Sequence, residues 1–172
     1  MTAAAYSPNG DFVVVGGDWA APGTHVWSVE PAGARGCVAG GTDRIDSSPP
    51  ELPAYLVHAE WHPSQTMVAT THRVGPPHIA WRDATTGGWS NVALTRDPQD
   101  WGASLNAGEP VARVSAWSPD GTHLLVGTVD GRVEHWSVDW SDDEQEVAAP
   151  TLRRIAEFPL HAATHGSVVA LD

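Results

Sequence analysis

Lysine is absent from this chain of 172 residues, and cysteine occurs once. Without lysine there is no side-chain amine for a Schiff base or for lysine modification. The single Cys37 excludes an internal disulfide and fits a reducing compartment. Positive charge is scarce: nine basic residues, all arginine, stand against 21 acids, for a formal net charge of −12. A chain of that sign repels phosphate backbones, which argues against general nucleic-acid binding and against anionic membrane surfaces. No apolar run approaches the roughly 18 residues of a membrane helix. The opening MTAAAYSPNGDF has neither the basic segment nor the long apolar stretch of a secretory signal. These features set the expectation of an intracellular protein, cytoplasmic first, with the nucleus also compatible.

Catalytic signatures are missing as well. There is no Gly-x-Ser-x-Gly elbow, and the Gly-Gly pairs at 16–17, 40–41 and 87–88 are not followed by the Lys-Ser/Thr of a phosphate loop. Cys37 lies in a Gly-rich stretch with no basic partner beside it. Histidine is plentiful, at nine residues: His58 and His62 are four apart, as are His161 and His165, and His72 and His78 flank a Gly-Pro-Pro turn. A pair four apart can share a metal on a helix. Here His58 falls in a strand and His62 in the turn after it, with no cysteines nearby and no third ligand at a recognised spacing. The sequence therefore leads us to expect no enzyme, no cofactor and no metal, with a propeller enzyme or a histidine-based metal protein as the alternative.

What the chain does have is a repeat. Ala3 to Gly10 (AAAYSPNG), Val57 to Ser64 (VHAEWHPS) and Val114 to Gly121 (VSAWSPDG) each run a short apolar strand into an aromatic ring and a Pro-containing turn. The first rings lie at 6, 61 and 117, and second aromatics follow at Trp27, Trp81 and Trp136. Two markers that advance in step by about 55 residues indicate one structural unit used repeatedly. In the third unit Val111–Trp117 predicts a strand and Ser118-Pro119-Asp120-Gly121 a tight turn, in which Pro fixes φ and Gly accepts a positive one. His123–Thr128 and Arg132–Val138 predict two more strands about an Asp130-Gly131 hairpin, and Leu152–Phe158 a fourth. Such a small sheet cannot bury both faces alone and has to stack on its neighbours.

These motifs resemble the WD40 repeat family. They match through Trp117-Ser118-Pro119-Asp120-Gly121, Gly127-Thr128-Val129-Asp130-Gly131 and Trp136-Ser137, and through their counterparts Tyr6-Ser7-Pro8-Asn9-Gly10 with Trp27, and Trp61-His62-Pro63 with Trp81. The resemblance implies an all-β, partial WD40-like β-propeller of about three four-stranded antiparallel blades. The expected blades are 1–55, 56–110 and 111–160, with 161–172 starting a further one. The period exceeds the family's 40–45, and the surplus reads as long loops around 31–53 and 83–110. None of the three units keeps Asp directly after its Trp. Of the family's hydrogen-bonded network only Thr128, Asp130 and Trp136 are in place. Propellers close with four to eight blades, so the chain is expected to be a fragment of a larger propeller or a subunit that closes a ring with more blades or as a homo-oligomer.

The same layout places the hairpins between second and third strands on one face. They carry Trp19, then His72, Arg73 and His78, then Arg132. Trp and Arg dominate many interfaces energetically. The implied function is a non-catalytic scaffold for a protein or peptide partner, with those five residues as its contacts. A second surface feature is Asp139 to Glu146, with acids at 139, 142, 143, 144 and 146. It reads as a solvated acidic loop able to attract a basic partner.

Overall fold

A computed structural model describes residues 3–16, 23–29, 52, 55–64, 66–73, 75–83, 87–94, 112–129, 131–140 and 150–159. They form eleven strands in three sheets: β1 (Ala3–Tyr6), β2 (Phe12–Gly16) and β3 (Thr24–Ser28); β4 (Leu56–Trp61), β5 (Met67–His72), β6 (His78–Arg82) and β7 (Trp89–Ala93); β8 (Ala112–Trp117), β9 (His123–Thr128), β10 (Arg132–Asp139) and β11 (Thr151–Pro159). Within each sheet consecutive strands pair antiparallel, in chain order. The repeated rings Tyr6, Trp61 and Trp117 end the first strand of each sheet, and Trp27, Trp81 and Trp136 lie in the third. The architecture is that of β-propeller blades.

One expectation needs correcting. The stretch 83–110, read as a loop, contains the fourth strand of the second sheet, Trp89–Ala93, paired with His78–Arg82. Its flanks, with Gly at 87, 88, 102 and 108 and Pro at 98 and 110, outweigh a five-residue segment that itself carries Ser90 and Asn91 in any composition-based reading. Trp89 turns inward against Phe12 and Trp61, with ring centroids 5.6 Å and 6.2 Å away. The equivalent stretch of the first sheet, and residues 161–172, lie outside the described residues.

The alternation of side chains across a strand explains how the sheets stack. Met67 and Ala69 of β5, with Ile79 and Trp81 of β6, pack against Leu124, Val126, Trp136 and Val138 of the third sheet. Their alternates, Val68 and Ala80, pack the other way, against Phe12, Val14 and Val26 of the first. The second sheet is thus buried on both faces, and β5 is buried at every residue. Strand β2 is buried only at Phe12, Val14 and Gly16, the positions facing the second sheet.

First strands meet first strands: β1 packs beside β4, and β4 beside β8. At each seam a ring spans the gap. The Trp61 indole N–H donates to the Ala5 carbonyl at 2.9 Å, and the Trp117 indole N–H to the Glu60 carbonyl at 3.2 Å. Ala5 and Glu60 each directly precede the repeated ring of their own sheet, so one bond is used twice, one repeat apart. The repeated aromatic is therefore a fastener between blades rather than a mark of any single blade.

The Pro turns are built alike. Ser7 N–H donates to Phe12 O (2.9 Å), Phe12 N–H to Ser7 Oγ (2.9 Å) and Gly10 N–H to Ser7 O (2.9 Å). The third sheet repeats this with Ser118, His123 and Gly121 at 2.9, 2.9 and 2.8 Å. Gly10 and Gly121 take φ +79° and +74°, the left-handed region that glycine enters without penalty.

Candidate functional site

Strand direction alternates, so the Pro turns lie at one end of the sheets and the hairpins between second and third strands at the other. The β5–β6 hairpin brings His72, Arg73 and His78 together. His72 is fully buried, with Nε2 3.0 Å from the Thr70 hydroxyl. His78 is buried beside it, ring centroids 5.7 Å apart and planes at 89°. Its Nδ1–H donates to the Pro76 carbonyl at 3.0 Å, and burial pushes its pKa down. Neither ring therefore presents a surface to a partner; both serve to fix the hairpin, which corrects their expected place as contacts. The tip is Arg73, exposed, with its backbone N–H bonded to the Tyr55 carbonyl at 2.9 Å. Among the described residues its guanidinium has no partner.

Arg132 opens β10 at the corresponding place in the third sheet. Its guanidinium is committed to Glu157 at 2.7 Å, and Glu157 also holds Arg154 at 2.8 Å. Exposed pairs of this kind contribute little stability, about 0–1 kcal/mol, but they do orient Arg132. Trp19 and Asp130 lie outside the described residues, as do Ser141 to Glu146 of the acidic stretch. Thr128 closes the hairpin: its hydroxyl donates to Arg132 O and accepts from Arg132 N–H, both at 3.1 Å. The Trp136 indole N–H goes instead to the buried carboxylate of Glu134, at 3.2 Å. Because that N–H is the ring's single donor, Trp136 is not tied to Thr128 as the family network would have it.

The histidines four apart in sequence lie on one face of β4 and its turn, with Glu60 between them, all directed at the third sheet. His58 Nδ1 accepts from Ser115 N–H at 3.3 Å, Glu60 Oε2 from Trp117 N–H at 3.2 Å, and His62 Nδ1 from Ser64 N–H at 3.1 Å. His62 Nε2–H then donates to the Gly121 carbonyl at 3.0 Å. Both rings are neutral in this arrangement, since each Nδ1 accepts. Burial lowers the pKa of both, against the weaker pull of Gly121 and Asp120 on His62. Burial also raises Glu60, partly offset by the Trp117 N–H. The spacing that suggests a metal pair on a helix is on this strand a polar seam.

A different histidine pair, which the sequence reading missed, sits on the opposite face of the third sheet. His123 Nδ1 and His135 Nε2 are 3.2 Å apart across the β9–β10 hairpin, on half-buried rings. Folding the chain about Asp130-Gly131 makes them diagonal neighbours, the one signal that could have found them.

Comparison with known proteins supports the fold. Residues 104–137 match the WD40 family model, described as WD domain, G-beta repeat. That segment holds β8, β9 and β10 as far as Ser137. No curated protein matches the chain. Among solved structures, it is similar to the β-propeller domain of Cps50 (Swd1) from Myceliophthora thermophila, at 17% identity and TM-score 0.57, covering 97% of this chain and 43% of that one. It is also similar to Hsv2 of Kluyveromyces lactis, at 15% identity and TM-score 0.54, covering 92% and 47%. A structure from Bacteroides fragilis described as a candidate 6-phosphogluconolactonase matches at 15% and 0.50, over 90% and 41%. At these identities the likeness is one of fold, and the chain spans less than half the length of each. Residues 104–137 thus match a WD40 repeat, and the described strands have the fold of β-propeller blades.

Proposed function

We propose that the chain is a non-catalytic interaction scaffold, part of a larger propeller assembly, whose second-to-third-strand hairpins hold a protein or peptide partner. The observation that carries this reading is Arg73: an exposed cation, partnerless among the described residues, at the tip of a hairpin fixed from below by two buried histidines. A hairpin held this rigidly loses little backbone entropy on binding, so the ordering cost is mainly that of the Arg73 side chain, about 0.5–1.5 kcal/mol. Its charge in a chain of net −12 selects an acidic group on the partner. Arg132, exposed on the next blade and held by Glu157, is the second candidate contact, and Trp19, outside the described residues, is the third. WD40 propellers commonly act as protein-interaction scaffolds, and the reading includes an intracellular location.

The experiment is affinity capture with the purified chain, identification of bound proteins, and calorimetry with the purified partner. Arg73→Ala and Trp19→Ala should each weaken binding by at least about tenfold, or ~1.4 kcal/mol, with unchanged thermal melting. A partner bound equally well by both variants removes the hairpin face from consideration.

A further inference from the structure

The rings of His123 and His135 approach in a way that a simple hydrogen bond does not require. Their nitrogens are 3.2 Å apart, yet the ring centroids are only 4.9 Å apart, with planes at 56°. A straight N–H···N bond of that length would hold the centroids roughly 5.5 Å apart. The shortfall means that the rings are inclined to the line between the two nitrogens; inclined to the same side, they bring the two lone pairs together there. For axes that meet symmetrically, the meeting point lies about 2.1 Å from each nitrogen at an angle of about 100°, close to the Zn–N bond of about 2.0–2.1 Å and the tetrahedral angle.

We propose that His123 Nδ1 and His135 Nε2 form a two-histidine chelate for a divalent transition-metal ion of the zinc type. Neutral imidazole is the commonest protein ligand for such ions. Both rings stand on one sheet face, His123 opposite Ser137 and His135 opposite Leu125, so the backbone ladder fixes their spacing before any ion arrives. They are half-buried, which leaves an approach from solvent. The Asp120 carboxylate, on the turn leading into β9, is close enough to His123 to interact with it electrostatically and favours a cation there. Among the described residues no third histidine, cysteine or carboxylate completes the set, so water fills the remaining positions. On binding, the ring that donates the N–H carries its proton on its other nitrogen instead, so that both facing nitrogens offer lone pairs to the ion, which ties β9 to β10 at a point the backbone already holds.

Calorimetric titration of the chain with Zn²⁺ alone, and separately Ni²⁺ alone, at pH 7.5 tests this. One saturable event is expected, weakened at least about tenfold, or ~1.4 kcal/mol, in His123→Asn and in His135→Asn, and kept in His25→Asn. Zinc should also raise the melting temperature of the unmodified chain and not of those two variants, because only binding to the folded form stabilises it. No saturable heat, or undiminished binding in both variants, overturns the proposal and assigns the ion to other histidines. A measurement needing no variant is substoichiometric Cu²⁺ on the unmodified chain: the ring signals of His123 and His135 should broaden first, and earlier broadening at other rings counts against the site.

Discussion

Alanine in place of Gly121 is the sharpest available test of the seam between the second and third sheets. Two separate demands meet at this residue. Its φ of +74° costs a residue with a Cβ about 1–2 kcal/mol. The Cβ itself would fall on the imidazole of His62, against both Nε2 and Cε1. That ring is not free to swing aside. Its Nε2–H donates to the Gly121 carbonyl, its Nδ1 accepts from Ser64 N–H, and its face meets the Trp117 ring edge-on at 4.8 Å and 70°. Displacing it forfeits a hydrogen bond of about 1 kcal/mol and a ring contact of about 0.5–1.5 kcal/mol. The expected loss is therefore about 3 kcal/mol. Gly10 supplies the control, because it holds the same turn position in the first sheet with φ +79° and nothing within 4 Å of its Cβ. Gly10→Ala should cost only the backbone term, about 1 kcal/mol. Urea unfolding of both variants measures the difference, about 2 kcal/mol in favour of Gly10→Ala. Adding His62→Ala to Gly121→Ala should recover part of the loss, a non-additivity expected of residues in contact. Equal losses in the two glycine variants would refute the idea that His62 is locked into the seam.

Three further outcomes follow from the same geometry. Trp61 and Trp89 are equally buried, at 6% exposure, but the Trp61 N–H reaches Ala5 O whereas the Trp89 N–H has no partner among the described residues. Trp89→Phe should thus be less destabilising than Trp61→Phe by about 1 kcal/mol or more in urea unfolding, and the reverse order would sink the seam assignment. Tyr6 shares the register of Trp61 and Trp117 but is 68% exposed. Tyr6→Ala should change the melting of the isolated chain little, within about 0.5 kcal/mol, while Trp117→Ala should cost about 3–5 kcal/mol. Acid should weaken the fold from near neutrality. His58, His62 and His78 have folded pKa values pushed below 6.5 by burial, so the unfolded chain protonates first, and their contribution is complete above 6.5 and lost as pH falls below it. Glu60, raised above 4.5, works in the opposite sense, its contribution being lost as pH rises through the raised value. Asp120, held at about 2 by the Ser118 and Thr122 hydrogen bonds, contributes above 3.8 and is lost as pH falls toward 2. Melting temperature between pH 8 and 5 should therefore fall, and fall less in His58→Gln; a flat profile would mean that the seam histidines are not buried neutral.

The strand-turn-strand units were legible because their signals are local. Ser-Pro-Asx-Gly needs only four residues to specify its turn, and Tyr6, Trp61 and Trp117 could be aligned by eye. Trp89–Ala93 was hidden because its evidence lies in another blade: what makes it a strand is the Phe12 and Trp61 rings it packs against. The meaning of the histidine spacing was hidden for a related reason. Residues four apart share a face on a helix and also on a strand; the sequence set aside a metal pair at His58 and His62, but what that face does instead emerged only with β8 opposite them. Register irregularities were invisible too. Strands β4 and β8 are each bulged near the start, between Leu56 and His58 and between Ala112 and Val114. An extra residue there flips the alternation, which is how Leu56 and Trp61, five apart, both reach the core shared with the first sheet. The Trp136–Glu134 bond departs from the family pattern because a buried carboxylate two residues away on the same strand face competes successfully for the indole donor.

The distribution of polar groups between seams and ends is the strongest structural argument for where the proposed partner would bind. Between the second and third sheets the polar groups are consumed inward: His58 with Ser115, Glu60 with Trp117, His62 with Gly121. A partner reaching for any of them would have to open the blade stack and replace those bonds, at about 1–3 kcal/mol for each group left unsatisfied. The Pro turns are likewise closed on themselves, Ser118 and Thr122 both holding Asp120. At the other end the β5–β6 hairpin spends two buried histidines on its own rigidity and leaves one arginine outside. That asymmetry is hard to account for by stability alone, because an exposed arginine with no acid beside it among the described residues adds little to the fold. It is what a rigid mount for a carboxylate contact requires, and it makes the hairpin end, not the seam, the surface to challenge first.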